Sequence, residues 1–237
     1  MDDYLMRSSS GGPRTGALAE ERVSGFLKNV YSWMCAGLAI TALTAYVVAT
    51  TPLSAALASN RILFFALAIG QLGLVWYLSA RVDRLAPGTA AGLFVLYSAL
   101  TGLTCSVILL AYTGESIATT FIVTAGMFGA VALYGTTTTR SLAGVGQFFF
   151  MGLIGLLLAS LVGMFWHSDA LQFLISVVGV IVFTGLTAWD AQRLKQMAAA
   201  LPDGQTGSYA IVGALSLYLN FINLFLFLLR FLGGRRE

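Results

Sequence analysis

The chain alternates between long uncharged hydrophobic stretches and short polar connections. Seven stretches are long enough to cross a hydrocarbon core of about 30 Å as a helix. Charged, aromatic or proline residues mark their ends, as is common where helices leave a bilayer. The pattern predicts an all-α polytopic membrane protein with seven transmembrane helices at residues 26–49, 62–80, 89–112, 117–134, 142–166, 171–192 and 208–230.

Polar segments flank this predicted seven-helix domain, which covers residues 26–232. Residues 1–25 are rich in Gly and Ser, mixed in charge, and lack the apolar core of a signal peptide. We expect them to form a disordered cytoplasmic tail that turns helical near Ala17. Residues 233–237 form a short basic C-terminal tail.

Composition supports the membrane assignment. Of 237 residues, 58% are hydrophobic and only 10% are charged, whereas soluble domains carry roughly 25% charged residues. The net charge of +3 does not indicate nucleic-acid binding, because the basic residues lie between spans, where they set topology. Cys35 and Cys105 fall inside apolar spans, and we expect them to be buried and unpaired.

The distribution of Lys and Arg predicts the orientation in the membrane. With a cytoplasmic N-terminus, nine basic residues lie inside and four outside. We therefore expect a multi-pass protein of the plasma (inner) membrane with its C-terminus outside. A re-entrant final segment, which would return the C-terminal arginines to the cytoplasm, is the alternative.

Several chemistries lack the residues that they need. The only lysines, Lys28 and Lys195, are not at mid-membrane depth, so a retinal Schiff base is excluded. His167 is the single histidine and lies in a predicted loop. No G-x-S-x-G elbow, phosphate-binding glycine loop or pair of aspartates in facing spans is present. Nothing in the sequence favours an enzyme or a bound cofactor.

Polar residues inside the last two spans are the candidates for function. Ser216, Asn220 and Asn223 recur at i, i+4 and i+7, which places them on one face of the seventh span. Polar groups are costly in lipid, so this face should meet protein or a water-filled cavity. Small residues such as Gly126/Gly129 and Gly152/Gly155 predict close helix packing.

Asp190 ends the sixth apolar span, and it permits two interpretations. It is either an interfacial carboxylate beside Arg193 or an inward-facing group that gates or binds a cation, with Thr187 roughly on the same face. Gln71, in the middle of the second span, also permits two interpretations: its amide forms interhelical hydrogen bonds, or it lines a pore.

Three segments carry a resemblance to a known family: GALSLYLNFINLFLFLLRFLG at 213–233, WDAQRLK at 189–195 and LYGTTTTRSLAGVG at 133–146. Over about residues 20–236 the chain resembles the Bax inhibitor-1 family, also called the transmembrane BAX inhibitor motif family, in its bacterial branch. The resemblance implies seven helices with the seventh enclosed by the other six. It also implies a pH-sensitive calcium leak whose gate is closed by two hydrogen-bonded aspartates.

The resemblance places those two aspartates at Asp190 and Asn220, so one of them is an amide here. Further acidic positions of relatives fall at Gln71 and Ser141, while Arg81 matches a basic position at the end of the second span. Two carboxylates can share a proton and repel each other once it is lost, whereas an Asp–Asn pair has no such step.

The expected function is a passive leak for calcium or protons that is less pH-sensitive than that of di-aspartate relatives. No firm metal site is expected, because one carboxylate gives a poor calcium site, so Asp190 serves only as a transient contact. The alternative is a non-conducting regulator of a membrane protein partner, such as a membrane-bound protease. The bilayer itself is the other expected partner.

Contact between Asp190 and Asn220 raises a question of depth. Asn220 lies about twelve residues, or roughly 18 Å, into the predicted seventh span, whereas Asp190 lies near the end of the sixth. For the two to touch, the seventh helix must begin before Ser208 or the sixth must lie deeper.

Overall fold

The structure, a computed structural model, describes residues 12–166, 168–202 and 206–234. Within them the chain is helical, with no strand. Seven helices are long and apolar enough to cross a membrane, which confirms the predicted fold class. The helices are α1 Gly12–Ala49, α2 Pro52–Ser59, α3 Arg61–Ala80, α4 Pro87–Ala111, α5 Gly114–Thr137, α6 Ala143–Phe165, α7 Asp169–Ala200 and α8 Thr206–Leu232.

Helix boundaries differ from the predicted spans at three places. Helix α1 begins at Gly12, so the expected disorder is wrong from residue 12 onward and the predicted turn into helix near Ala17 comes five residues earlier. Residues 17–22 are good helix formers and favour the helix here. Pro52 does not only end the first span, because it also begins the short helix α2 from the favourable first position. Helix α7 continues eight residues past 192. Residues 1–11, His167 and residues 235–237 lie outside the described part of the chain.

The N-terminus of α1 and the C-terminus of α8 lie at opposite ends of the bundle. At one end, the Arg22 guanidinium donates to the Leu201 carbonyl, 3.0 Å away. At the other, the Gly234 amide donates to Ser116 Oγ at 2.9 Å. Helix α8 is unbroken between them, so the re-entrant alternative is wrong. Which end is cytoplasmic stays a prediction.

Helix α8 lies in the core of the bundle. Its residues Leu215, Leu217, Tyr218, Leu224 and Leu229 are each no more than 1% exposed. An apolar helix that is buried on several sides belongs in a core and not at a surface. Among the described residues α8 packs against α1, α3, α4, α5 and α7. Its enclosure by all six other spans stays a prediction.

Glycines let two pairs of helices approach closely, but they are not the predicted ones. A Cβ at Gly102 of α4 would lie 2.6 Å from the Thr41 carbonyl oxygen of α1. A Cβ at Gly135 of α5 would collide with the Ala188 backbone of α7. Small residues serve helix packing at these contacts. Of the predicted positions, Gly152 would touch only a side chain, and nothing lies within 4 Å of a Cβ at Gly126, Gly129 or Gly155.

Candidate functional site

Asp190 and Asn220 meet because α7 is longer than its apolar stretch. Ten residues of α7 follow Asp190, and α8 begins at Thr206, fourteen residues before Asn220. The two helices run antiparallel, so both residues lie roughly 15–21 Å from the end of the hairpin. Both conditions for contact between the two residues are met: α8 begins two residues before Ser208, and Asp190 lies well inside α7.

The carboxylate of Asp190 is 5% exposed and accepts two hydrogen bonds from α8. Ser216 Oγ donates to Asp190 Oδ2 at 2.7 Å, and Asn220 Nδ2 donates to the same oxygen at 2.8 Å. We call Asp190, Ser216 and Asn220 the carboxylate cluster. Its aspartate only accepts, which is the role of an ionised carboxylate. Hydrogen bonds of this kind offset the cost of burying a charge.

Arg193 completes the surroundings of Asp190. Its Nη2 lies 3.6 Å from Asp190 Oδ1, one helical turn away on α7. The guanidinium also lies over the ring of Trp189, 5.1 Å from its centroid. The Arg193 side chain is 48% exposed, so its charge is largely screened by its surroundings. Asp190 therefore combines the two interpretations: it faces inward and also has Arg193 beside it.

The carboxylate cluster joins α7 to α8 through side chains alone. Separating the helices at this point would break two hydrogen bonds without breaking either helical backbone. Nowhere in residues 12–166, 168–202 and 206–234 do three or more His, Cys, Asp or Glu gather as a metal site. A cation here would meet one carboxylate and neutral oxygens, which suits brief contact better than firm binding.

Two further predicted residues lie in α7 and α8 but turn away from the cluster. Thr187 is fully buried, and its hydroxyl donates to the Phe183 carbonyl of its own helix at 2.7 Å. Asn223 donates to the Leu219 carbonyl at 2.8 Å. Asn223 also borders a cavity of about 330 Å³, which we call the far cavity because it lies toward the C-terminal end of α8.

The remaining predicted residues lie away from Asp190. Gln71 donates to the Leu100 carbonyl of α4 at 3.1 Å, in agreement with interhelical hydrogen bonding. Arg81 is exposed just after α3, with its guanidinium 5.3 Å from the ring centroid of Tyr77. Ser141 is exposed and accepts a hydrogen bond from the amide of Ala143.

Gln192 is a buried polar residue that the sequence did not single out. It lies two residues after Asp190 and is 6% exposed. Its Nε2 donates to the Arg140 carbonyl at 2.8 Å, and its Oε1 accepts from the Leu142 amide at 2.8 Å. The amide thus ties the connection between α5 and α6 to α7. Its only sequence signal is a polar residue next to an apolar span.

A second polar group missed by the sequence lies against α8 on the side of α1 and α4. The Thr41 hydroxyl is 2.6 Å from Tyr218 Oη. It also lies 2.9 Å from each of the Gly37 and Ser98 carbonyl oxygens. We call Thr41, Ser98 and Tyr218 the hydroxyl cluster. The sequence feature that could have revealed this cluster is Tyr218, which lies between Ser216 and Asn220 in the same span.

The far cavity carries a positive charge. Arg230 borders it and donates to Gln172 Oε1 at 3.2 Å. A neighbouring cavity of about 420 Å³ shares Gln172 and is bordered by Arg61. Cations approaching the bundle from this end would therefore meet arginines before they reach Asn223.

Comparison with known proteins gives a consistent result. The family model described as "Inhibitor of apoptosis-promoting Bax1" matches residues 23–237. The chain is 49% identical over 230 residues to "Inner membrane protein YbhL" of Escherichia coli strain K12, covering 94% of this chain and 98% of that protein. An uncharacterized protein of Borreliella burgdorferi is 47% identical over 215 residues, covering 90% and 93% of the two chains. One from Caulobacter vibrioides is 41% identical over 224 residues, covering 90% and 89%.

Proposed function

The chain belongs to the Bax inhibitor-1 family, and from that premise we propose that it is a passive leak for calcium or protons, gated at the carboxylate cluster. Its seven apolar helices and its inner membrane relative agree that it is a multi-pass inner membrane protein. Ion conduction and the identity of the gate are the proposal.

One observation carries the proposal: the buried carboxylate of Asp190 is held by two neutral donors of the neighbouring helix. Hydrogen bonds to a charged group contribute about 1.5–3 kcal/mol each. In the proposal they hold α8 against α7 in the closed state. When the bonds break, the freed carboxylate offers a cation a brief contact, and weak contacts suit conduction because ions must also leave.

The path continues from Asn220 toward Asn223, which borders the far cavity one turn further along α8. Arg230 at that cavity repels cations and lowers their local concentration. A positive charge at the entrance of the path slows the leak. It hinders the entry of monovalent protons less than that of divalent calcium ions.

The proposal includes weak pH dependence. An amide cannot share or lose a proton in the way that a second carboxylate does. The Asn220 amide donates to Asp190, and no second negative charge can appear beside this carboxylate as pH rises. The gate therefore responds to pH less than a pair of aspartates would.

Liposome flux tests the gate directly. Asn220→Ala removes one donor but keeps the carboxylate, so the open state should gain population. We expect calcium or proton flux through purified protein to rise about tenfold, the equivalent of one charged hydrogen bond. The matched control is Tyr218→Phe, which removes one interhelical hydrogen bond two residues away on α8 and should leave flux unchanged. Equal flux from both variants and the native protein would reject the gate.

The second candidate is a regulator of a membrane protein partner such as a membrane-bound protease. The observation that favours it is the polar N-terminal part of α1, where Glu20, Glu21 and Arg22 are exposed on a helix that continues into the first span. Deletion of residues 1–25, which removes these charges, and Asn220→Ala separate the two candidates in cells. If truncation abolishes the phenotype and Asn220→Ala leaves it intact, the regulator is favoured and the leak is not.

A further inference from the structure

A groove on the outside of the bundle between α1 and α5 is not used by the proposed gate. Helices α1 and α5 both pack on α7 and α8, and the space between them forms two cavities of about 490 and 900 Å³. The cavities share three lining residues, Tyr31, Cys35 and Thr136, so they form one continuous α1–α5 groove.

The smaller cavity forms the apolar half of the groove. Met34 and Leu38 of α1 face Phe121 and Phe128 of α5 across it, and Phe221 of α8 forms part of its lining. Among the residues that the structure describes, none that is charged lines this half. Since the surrounding surface lies among the membrane spans, a hydrocarbon chain is the occupant that this half would accept.

The larger cavity forms the basic half, at the end where α5 and α7 finish. It is lined by Lys28 and Lys195, the two lysines of the chain. Lys195 Nζ donates to the Thr136 carbonyl at 2.7 Å, which fixes this ammonium at the end of α5. Lys28 has no hydrogen-bond or ion-pair partner within the described part of the chain. Glu20, two turns before Lys28 on α1, is the one acidic residue of the described ranges that lines this half.

The distance along α1 from Lys28 to the apolar end of the groove at Leu38 matches one leaflet of a bilayer. Lys28 and Leu38 are ten residues apart on α1, or about 15 Å, and half of a hydrocarbon core is also about 15 Å. The basic half lies at the end that the charge distribution predicts to be cytoplasmic, where anionic headgroups attract basic pockets between transmembrane helices.

We propose that the α1–α5 groove binds one anionic glycerophospholipid, with its phosphate between Lys28 and Lys195 and an acyl chain in the apolar half against Phe221. The lysine ammonium groups supply point charges for the phosphate. The hydroxyls of Ser24 and Ser32, which also line the basic half, are available as further donors. This site goes beyond the proposed leak and does not rest on it.

Cys35 provides a readout, because it lines both halves of the groove and is exposed, so its predicted burial is wrong. The full-length protein is placed in nanodiscs of phosphatidylcholine, with or without ~30% phosphatidylglycerol. Alkylation by an uncharged maleimide is followed at Cys35 in a Cys105→Ala background, because Cys105 is partly buried and lines neither half. We expect phosphatidylglycerol to slow the alkylation of Cys35 about fivefold or more relative to phosphatidylcholine alone, since each lysine contributes about that factor.

Variants separate a specific site from a general charge effect. Lys28→Gln with Lys195→Gln should abolish the protection, whereas Lys28→Arg with Lys195→Arg should keep it and show that the fold is intact. Arg84→Gln is the matched control, since it removes one positive charge at the same end outside the groove, and it should keep the protection.

Two outcomes would overturn the proposal. Equal protection in phosphatidylcholine alone, or protection that survives the double Gln variant, would mean that acyl chains fill the groove without headgroup recognition. Protection of the detergent-solubilised protein by inorganic phosphate alone would mean a free-anion site instead of a lipid site.

Discussion

Two sides of helix α8 carry different kinds of hydrogen bonds. Toward α7, Ser216 and Asn220 bind the charged side chain of Asp190 at 2.7 and 2.8 Å. Toward α1 and α4, Tyr218 binds the neutral hydroxyl of Thr41 at 2.6 Å. The residues alternate along α8, so one short segment of sequence supplies both sides.

The hydroxyl cluster is anchored to backbone and aromatic packing. Thr41 lies within 2.9 Å of carbonyl oxygens on both α1 and α4. The ring of Tyr218 packs edge-on against Phe94 and Tyr97, with centroids 5.7 and 5.9 Å apart. Separating these helices would forfeit packing as well as hydrogen bonds.

The side toward α7 is packed as well, since Phe183 of α7 and Phe227 of α8 stack with centroids 5.8 Å apart. The carboxylate cluster differs in its acceptor, which is the side-chain carboxylate of Asp190. Its acceptor is an ion that water or a cation would stabilise once released. We infer that the side of α8 toward α1 and α4 is the fixed side, and that the side toward α7 is the releasing side because of its carboxylate. The predictions below test that division, from the largest expected effect to the smallest.

Asn220→Asp should make the contact between α7 and α8 on the releasing side, and therefore the flux, depend on pH. At low pH the two carboxylates share a proton and stay paired, and loss of that proton leaves two like charges. Charges about 4 Å apart repel by about 4 kcal/mol at an effective dielectric constant of 20. We expect liposome flux of this variant to rise at least ~10-fold from about pH 6 to pH 8. A flat profile would show that the two side chains are not close in the working protein.

Gly102→Ala should disturb the fixed side. The new Cβ would lie 2.6 Å from the Thr41 carbonyl oxygen, a backbone atom that has little freedom to move. Overpacking of this kind costs about 1–3 kcal/mol, which lowers the unfolding temperature of a chain of this size in detergent by roughly 2–12 °C. Flux per folded molecule should not change.

The matched control is Gly92→Ala in the same helix, where a Cβ would meet nothing within 4 Å. It should leave stability unchanged or slightly raised, since alanine is the better helix former. Equal loss of stability from both variants would contradict close packing at Gly102.

Arg230→Gln should have the smallest effect. It removes a positive charge from the far cavity without touching the carboxylate cluster. We expect calcium flux to rise about two- to fivefold, and proton flux by less, because a divalent ion is repelled twice as strongly. Arg84→Gln, at the opposite end, serves as the control. Unchanged calcium flux in Arg230→Gln would place the ion path elsewhere.

The sequence predicted the seven spans because uncharged stretches of this length have one common solution in lipid. It did not predict the length of α7, since AQRLKQMAAA at 191–200 is too polar for a span yet rich in helix formers. Hydropathy indicates where a helix leaves the lipid, whereas helix propensity decides where the helix itself ends.

The candidate site was predictable only in part. The pairing of Asp190 with Asn220 followed from family resemblance, and the spacing of Ser216 and Asn220 placed both on one face. The partners of Gln192 and Thr41 were not predictable, because they are largely backbone carbonyls and amides, which every residue carries. The glycine contacts were missed for a related reason: spacing shows a small residue but not which helix packs on it.

The central claim is that a neutral donor holds Asp190, so that the gate does not depend on a shared proton. The most direct test is calcium flux through the native protein in liposomes across about pH 6–8, beside Asp190→Asn. The account predicts a nearly flat profile for the native protein. A steep rise with pH that Asp190→Asn abolishes would contradict it.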